Sequence, residues 1–126
     1  MKPLRVASIC SVSFFLLFIV AGCNNNISPL APLPVEQLPS ALEEAFSKAK
    51  PDVKELADQI IASVKTQDYA KAFHALQNLS VAPGLTKEQT SIAARSLLTV
   101  NSLLQSAEAK GDQKAAATLE NYRKTK

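Results

Sequence analysis

The chain has 126 residues, 47% of them hydrophobic, and carries 14 basic against 11 acidic side chains for a net charge of +3. That length admits one small domain, and the charge lies too close to balance to imply a nucleic acid partner. Two cysteines and one histidine leave few side chains for metal or nucleophilic chemistry.

The first stretch sets the location of everything after it. Lys2 and Arg5 precede a run without charge from Val6 to Gly22, and the small residues Ala21 and Gly22 close that run directly before Cys23. The order is that of an export signal, and the segment Val20-Ala21-Gly22-Cys23 resembles the lipobox of a bacterial lipoprotein. The resemblance covers the first 23 residues. It implies cleavage between Gly22 and Cys23, a diacylglycerol thioether on Cys23, and acylation (palmitate or a similar chain) of the new N-terminus.

Two other outcomes compete with it: an ordinary cleaved signal that frees a soluble protein, and an uncut membrane helix. A spanning helix wants about 20 apolar residues, whereas Ser8, Ser11 and Ser13 interrupt this run. One acyl chain anchors marginally and two or more hold stably, so a lipidated Cys23 implies a lasting membrane anchor. Within the family, an aspartate after the cysteine favours the inner membrane. Asn24 therefore leans toward the outer membrane, the chain facing the periplasm or the cell exterior.

Removing residues 1–22 leaves 104 residues and takes the basic count from 14 to 12, against 11 acidic, so the mature chain is nearly neutral and its overall charge implies neither a nucleic acid nor a strongly anionic surface as partner. Cys10 leaves with the signal and Cys23 is alkylated. No thiol remains for disulfides or catalysis, and helix packing alone must hold the domain. From Asn24 to Pro39 the spacing of Pro29, Pro32, Pro34 and Pro39 opposes helix and central strand alike. This predicts a disordered tether of extended polyproline II character over residues 23–39, reaching roughly 50 Å at about 3.1 Å per residue. A proline-rich ligand for a groove-binding partner is the other reading of the same stretch.

The folded domain is expected over residues 40–126. Ser40 and Glu43 have capping-box spacing, and Ala41, Leu42, Ala45, Phe46 and Ala49 share one face of a short leading helix. Pro51 ends it and opens a second helix with Val53, Leu56, Ala57, Ile60, Ile61 and Val64 on one side. Asp68 caps a third helix bearing Tyr69, Ala72, Phe73, Leu76 and Leu79, which Ala82, Pro83 and Gly84 break. Thr86 and Gln89 open the longest helix, to about Ala109, with Ile92, Ala93, Leu97, Val100, Leu103, Leu104 and Ala107 inward. Gly111 ends it, and Asp112 caps a last helix that faces Ala115, Ala116, Leu119 and Tyr122 to the core. No segment alternates with period two, so the expected fold is all-α: four main helices and a short leading one.

A faint internal echo, 43 or 44 residues apart, pairs the Gln67–Leu79 region with Gly111–Tyr122 and suggests two stacked helical hairpins. The segment Asp68 to Pro83 resembles the second helix of a tetratricopeptide repeat. Ile60 and Ser63 depart from that family's first helix, so a plain helical bundle stands beside this reading.

The chemistry-bearing residues are sparse. His74 points away from the Tyr69, Phe73, Leu76 stripe, and zinc needs three or four ligands that this chain does not assemble. The carboxylates Glu43, Glu44, Asp52, Glu55 and Asp58 alternate with lysines, Lys54 and Asp58 at i, i+4, as on a solvated face. No phosphate loop, nucleophile elbow or zinc-binding helix motif is present. No enzyme activity, cofactor or metal is therefore expected. Arg123, Lys124 and Lys126 form a basic tail suited to anionic lipid or cell wall, or to the dipole of the helix they end. Leu98 falls opposite the apolar stripe of its helix, either covering the Phe46 helix or open to a partner. The resulting expectation is a membrane-anchored envelope lipoprotein, a non-catalytic interaction or structural module with an envelope protein partner. The alternatives are a cell-wall or anionic-lipid binder and, behind it, a small ligand carrier or hydrolase.

Overall fold

The computed structural model describes residues 30–126, and Gly22, Cys23 and the export signal lie outside them. A short 3-10 turn, Val35–Gln37, leads into five helices: α1 (Leu38–Phe46), α2 (Pro51–Lys65), α3 (Tyr69–Ser80), α4 (Lys87–Ala109) and α5 (Gln113–Lys124). All regular structure among the described residues is helical, and the chain is an all-α bundle of four main helices with a short leading one.

The caps explain where the helices begin. Asp68 accepts from the Lys71 amide at 3.1 Å, and Asp112 accepts from the Lys114 and Ala115 amides at 2.9 and 3.1 Å. Thr86 and Gln89 close a full capping box. The leading helix departs from expectation: it starts at Leu38, two residues before the expected Ser40 cap. Pro39 sits in its first turn, where a missing N–H costs nothing, and the Ser40 hydroxyl donates to the Gln37 carbonyl instead of capping.

The α2–α3 and α4–α5 turns are the same device twice. In the first, the Asp68 amide reaches the Ser63 carbonyl (2.8 Å) and the Gln67 amide that of Val64 (3.1 Å). In the second, the Asp112 amide reaches Ala107 (3.0 Å) and the Gly111 amide reaches Glu108 (3.0 Å). Both are Schellman closures in which the left-handed residue is followed at once by an aspartate that caps the next helix. Gln67 (φ 59°) and Gly111 (φ 90°) occupy the left-handed position, so the internal echo is a repeat of turn geometry.

The core is continuous. Phe46, Val53, Ala57, Ile60, Phe73, Leu76, Leu79, Val100, Leu104 and Leu119 are all buried. Helix α3 lies between α2, α4 and α5 and hides Ala70 and Ala75 as well as its expected stripe, small side chains letting neighbours approach on more than one side. Helix α1 packs on α2 and α4, and the Gln89 side-chain amide donates to the Ala45 carbonyl at 3.1 Å. That bond places the end of α1 beside the start of α4, so the two run antiparallel.

The end of the proline-rich segment is part of this structure, so the packed unit begins before residue 40. Leu33 and Leu38 are buried, at 6% and 0% exposure. The Thr99 hydroxyl donates to the Leu33 carbonyl at 2.6 Å and the Arg95 Nε to the Ala31 carbonyl at 2.9 Å. Pro32 and Pro34 have no N–H to offer, which leaves carbonyls as this segment's handles. Arg95 and Thr99 are one helical turn apart, about 6 Å along the axis. Two residues of polyproline II advance about 6.2 Å, so carbonyls 31 and 33 match that spacing. Residues 31–34 therefore form a strap running parallel to α4, which corrects the disordered tether expected over residues 23–39 from residue 31 onward; residues 23–29 lie outside the described residues.

Candidate functional site

The two Schellman turns lie side by side at one end of the bundle, joined by an ion pair in which Lys114 Nζ contacts both Asp68 carboxylate oxygens at 2.9 Å. The Lys114 ammonium and the Lys71 amide hold the Asp68 carboxyl below its ordinary value. Between the turns opens a cleft of about 510 Å³, with a neighbouring concavity of about 250 Å³ that shares Gln67, Tyr69, Ala107 and Asp112 with it. Leu103, Ala107 and the Tyr69 ring supply its apolar surface; Gln67, Ser106, Lys110 and Asp112 supply polar groups. The turn residues project here because the left-handed positions reverse the chain at this end. Chemically, this is a mixed groove able to take a small apolar group flanked by hydrogen-bonding partners.

The sequence singled out none of these cleft residues as a site. A signal did exist in the repeated turn-plus-aspartate pattern at Gln67-Asp68 and Gly111-Asp112, which marks two turns alike without placing them together.

The sequence-derived candidates are dispersed. His74 is exposed on α3, edge-on to Phe73 with ring centroids 6.2 Å apart, beside a shallow depression that also touches Thr118 and Tyr122. Glu43, Lys54 and Asp58 line a concavity of about 170 Å³ between α1 and α2. Lys54 and Asp58 do not close to an ion pair there; the pairs among the described residues are Asp68–Lys114, Glu108–Arg123 and Glu120–Lys124. No group of three or more His, Cys, Asp or Glu side chains among the described residues is placed to hold a metal ion.

Leu98 is 42% exposed beside the strap-holding positions Arg95 and Thr99. The basic tail is engaged locally. Arg123 pairs with Glu108 at 3.1 Å, Lys124 with Glu120 at 2.7 Å, and Lys126 Nζ lies 4.7 Å from the centre of the Tyr122 ring. The Glu108 carboxylate raises the Arg123 guanidinium's affinity for its proton. Buried Ser63 and Thr118 donate to carbonyls one turn back, whereas the buried Ser96 hydroxyl has no partner among the described residues.

No helix among the described residues is long and apolar enough to cross a membrane. No family model, curated protein or solved structure matches this chain.

Proposed function

We propose that this protein is a bacterial envelope lipoprotein, anchored through Cys23, whose helical domain serves as a non-catalytic interaction or structural module. The sequence around Cys23 supports the anchor. The observation that carries the module reading is the pair of identical turns set side by side, which gives the bundle a cleft at one end while its remaining polar groups largely serve caps and local ion pairs. The partner is an envelope protein that engages the Leu98 surface or this cleft.

Mass spectrometry of the native product tests the anchor: a diacylglycerol-modified Cys23 at the N-terminus is expected, and a product retaining Met1 or carrying a free thiol overturns it. Crosslinking from membranes tests the module. Recovery of a reproducible partner, lost with Leu98→Asp or Lys110→Glu, supports it. Absence of any partner, with the phenotype intact in both variants, counts against it. Both positions are exposed, and circular dichroism melting of each variant separates a lost partner from a lost fold.

A further inference from the structure

We propose that the end of the bundle formed by the α1–α2 and α3–α4 loops rests on the anionic headgroup surface of the bilayer that holds Cys23, with the strap fixing that orientation; this rests on the lipoprotein reading above. The strap carries the argument. It runs parallel to α4, carbonyl 31 at Arg95 and carbonyl 33 at Thr99, so followed back toward its N-terminus it heads for the start of α4.

From Arg95 to Lys87 is eight helical residues, about 12 Å, while Arg95 to Ala109 is fourteen, about 21 Å the other way. Eight residues also separate Cys23 from Ala31, a fully extended reach of at most roughly 29 Å. A chain already pointing at the near end reaches a bilayer beyond it with length to spare. To reach a bilayer at the far end it must reverse and spend most of its length alongside the domain.

The near end has the chemistry of a headgroup contact. The Ser47–Lys50 loop carries Lys48 and Lys50, and the 81–86 loop carries Val81 and Pro83; neither loop contains an acid. Lys48, Lys50, Pro83 and Gly84 line one shallow concavity, which places the loops together. Val81 is 81% exposed, the most exposed large apolar side chain among the described residues. Neither loop lysine has an ion-pair partner there, and Lys87 adds a third cation. The acids nearby are Glu43 and Glu44, exposed in the last turn of α1, and Asp52 and Glu88, which lie in first helical turns where they complement the helix dipoles; none of them pairs with Lys48, Lys50 or Lys87 among the described residues. An apolar tip set among unpaired lysines fits an anionic interface, the lysines drawn by surface potential and the valine entering between headgroups. In this orientation the two-turn cleft faces away from the membrane.

The test uses the native lipidated chain, whose anchor is first verified by mass. Val81→Cys and Gln113→Cys, one at each end, are labelled with a fluorophore, since the mature chain has no other free thiol. The protein is then reconstituted in phosphatidylcholine vesicles containing phosphatidylglycerol and nickel-chelating lipid. Severalfold stronger quenching at the Val81→Cys label is expected, with the two labels converging when Arg95→Ala and Thr99→Val release the strap. Equal quenching or stronger quenching at Gln113→Cys overturns the orientation, and a ratio that survives strap release overturns the claim that the strap fixes it; either result leaves the lipoprotein reading intact. A chain found unlipidated removes both readings.

Discussion

The paired turns contain their own control, because one geometry is built with a glutamine in one copy and a glycine in the other. A non-glycine residue in the left-handed region costs about 1–2 kcal/mol through its Cβ, and glycine gives back about 0.5–1 kcal/mol in unfolded-chain entropy. Gln67 is exposed and its side chain makes no hydrogen bond among the described residues, so nothing else is lost on replacement. Gln67→Gly is therefore expected to stabilise the domain by about 0.5–1 kcal/mol. At Gly111 a Cβ meets nothing within 4 Å, so Gly111→Ala incurs backbone strain without a steric clash and destabilises by a similar amount. For a domain of this size such changes move Tm by about 2–6 °C in opposite directions. Thermal unfolding followed by circular dichroism, with both single variants and the double variant, reads this directly. The double variant should return near wild type, because the Asp68–Lys114 pair that joins the turns is largely exposed and couples them weakly. A fall in Tm for Gln67→Gly, or no change for Gly111→Ala, refutes the claim that left-handed strain dominates at these turns.

Ser96→Ala removes a buried hydroxyl that has no partner among the described residues, so denaturant unfolding should show a stability unchanged or raised by about 1 kcal/mol; a loss of about 1 kcal/mol or more means the hydroxyl is satisfied. Thr99→Val keeps the volume but strands the buried Leu33 carbonyl, and should cost about 1–3 kcal/mol together with faster proteolytic cleavage near residues 30–37. The lowered Asp68 pKa contributes stability that is fully present above the unfolded carboxylate value and is lost as pH falls through the folded value. Asp68→Asn retains a capping side chain, so at neutral pH it should cost well under 1 kcal/mol, and the gap to wild type should close under acid conditions. A gap that widens on acidification reverses the sign of this account.

Helix periodicity and caps were the legible part of the chain. Asp68, Thr86, Gly111 and Asp112 stand where their types predict, because cap chemistry is local and depends on few neighbours. The leading helix caps at Gln37, three residues before Ser40, because a serine followed three residues later by an acid is satisfied equally well inside a helix whose first turn holds a proline. Burial of Ser63, Ser96, Thr99 and Thr118 was not legible from hydropathy: small hydroxyl side chains fit where helices approach closely, three of them using their own helix or the strap as acceptor. The cleft was hidden for another reason. Each turn is readable by itself, but their adjacency depends on how the second hairpin packs on α3.

The strap changes what the proline-rich segment is for. Spacing of prolines alone describes a spacer, and a spacer holds a domain at a distance without choosing its orientation. Binding to α4 converts the last part of that spacer into a fixed element, since a parallel alignment with two side-chain anchors one helical turn apart defines both a position and a direction. Helix α4 then has two separate tasks: Ala93, Val100 and Leu104 hold the bundle, while Arg95 and Thr99 hold the strap. Those two polar positions look like solvated surface to a hydropathy pattern, and Leu98 between them looks like an outlier. Seen with the strap in place, the same face is an intramolecular binding surface with Leu98 at its margin. A partner that engages Leu98 would therefore meet the strap as well.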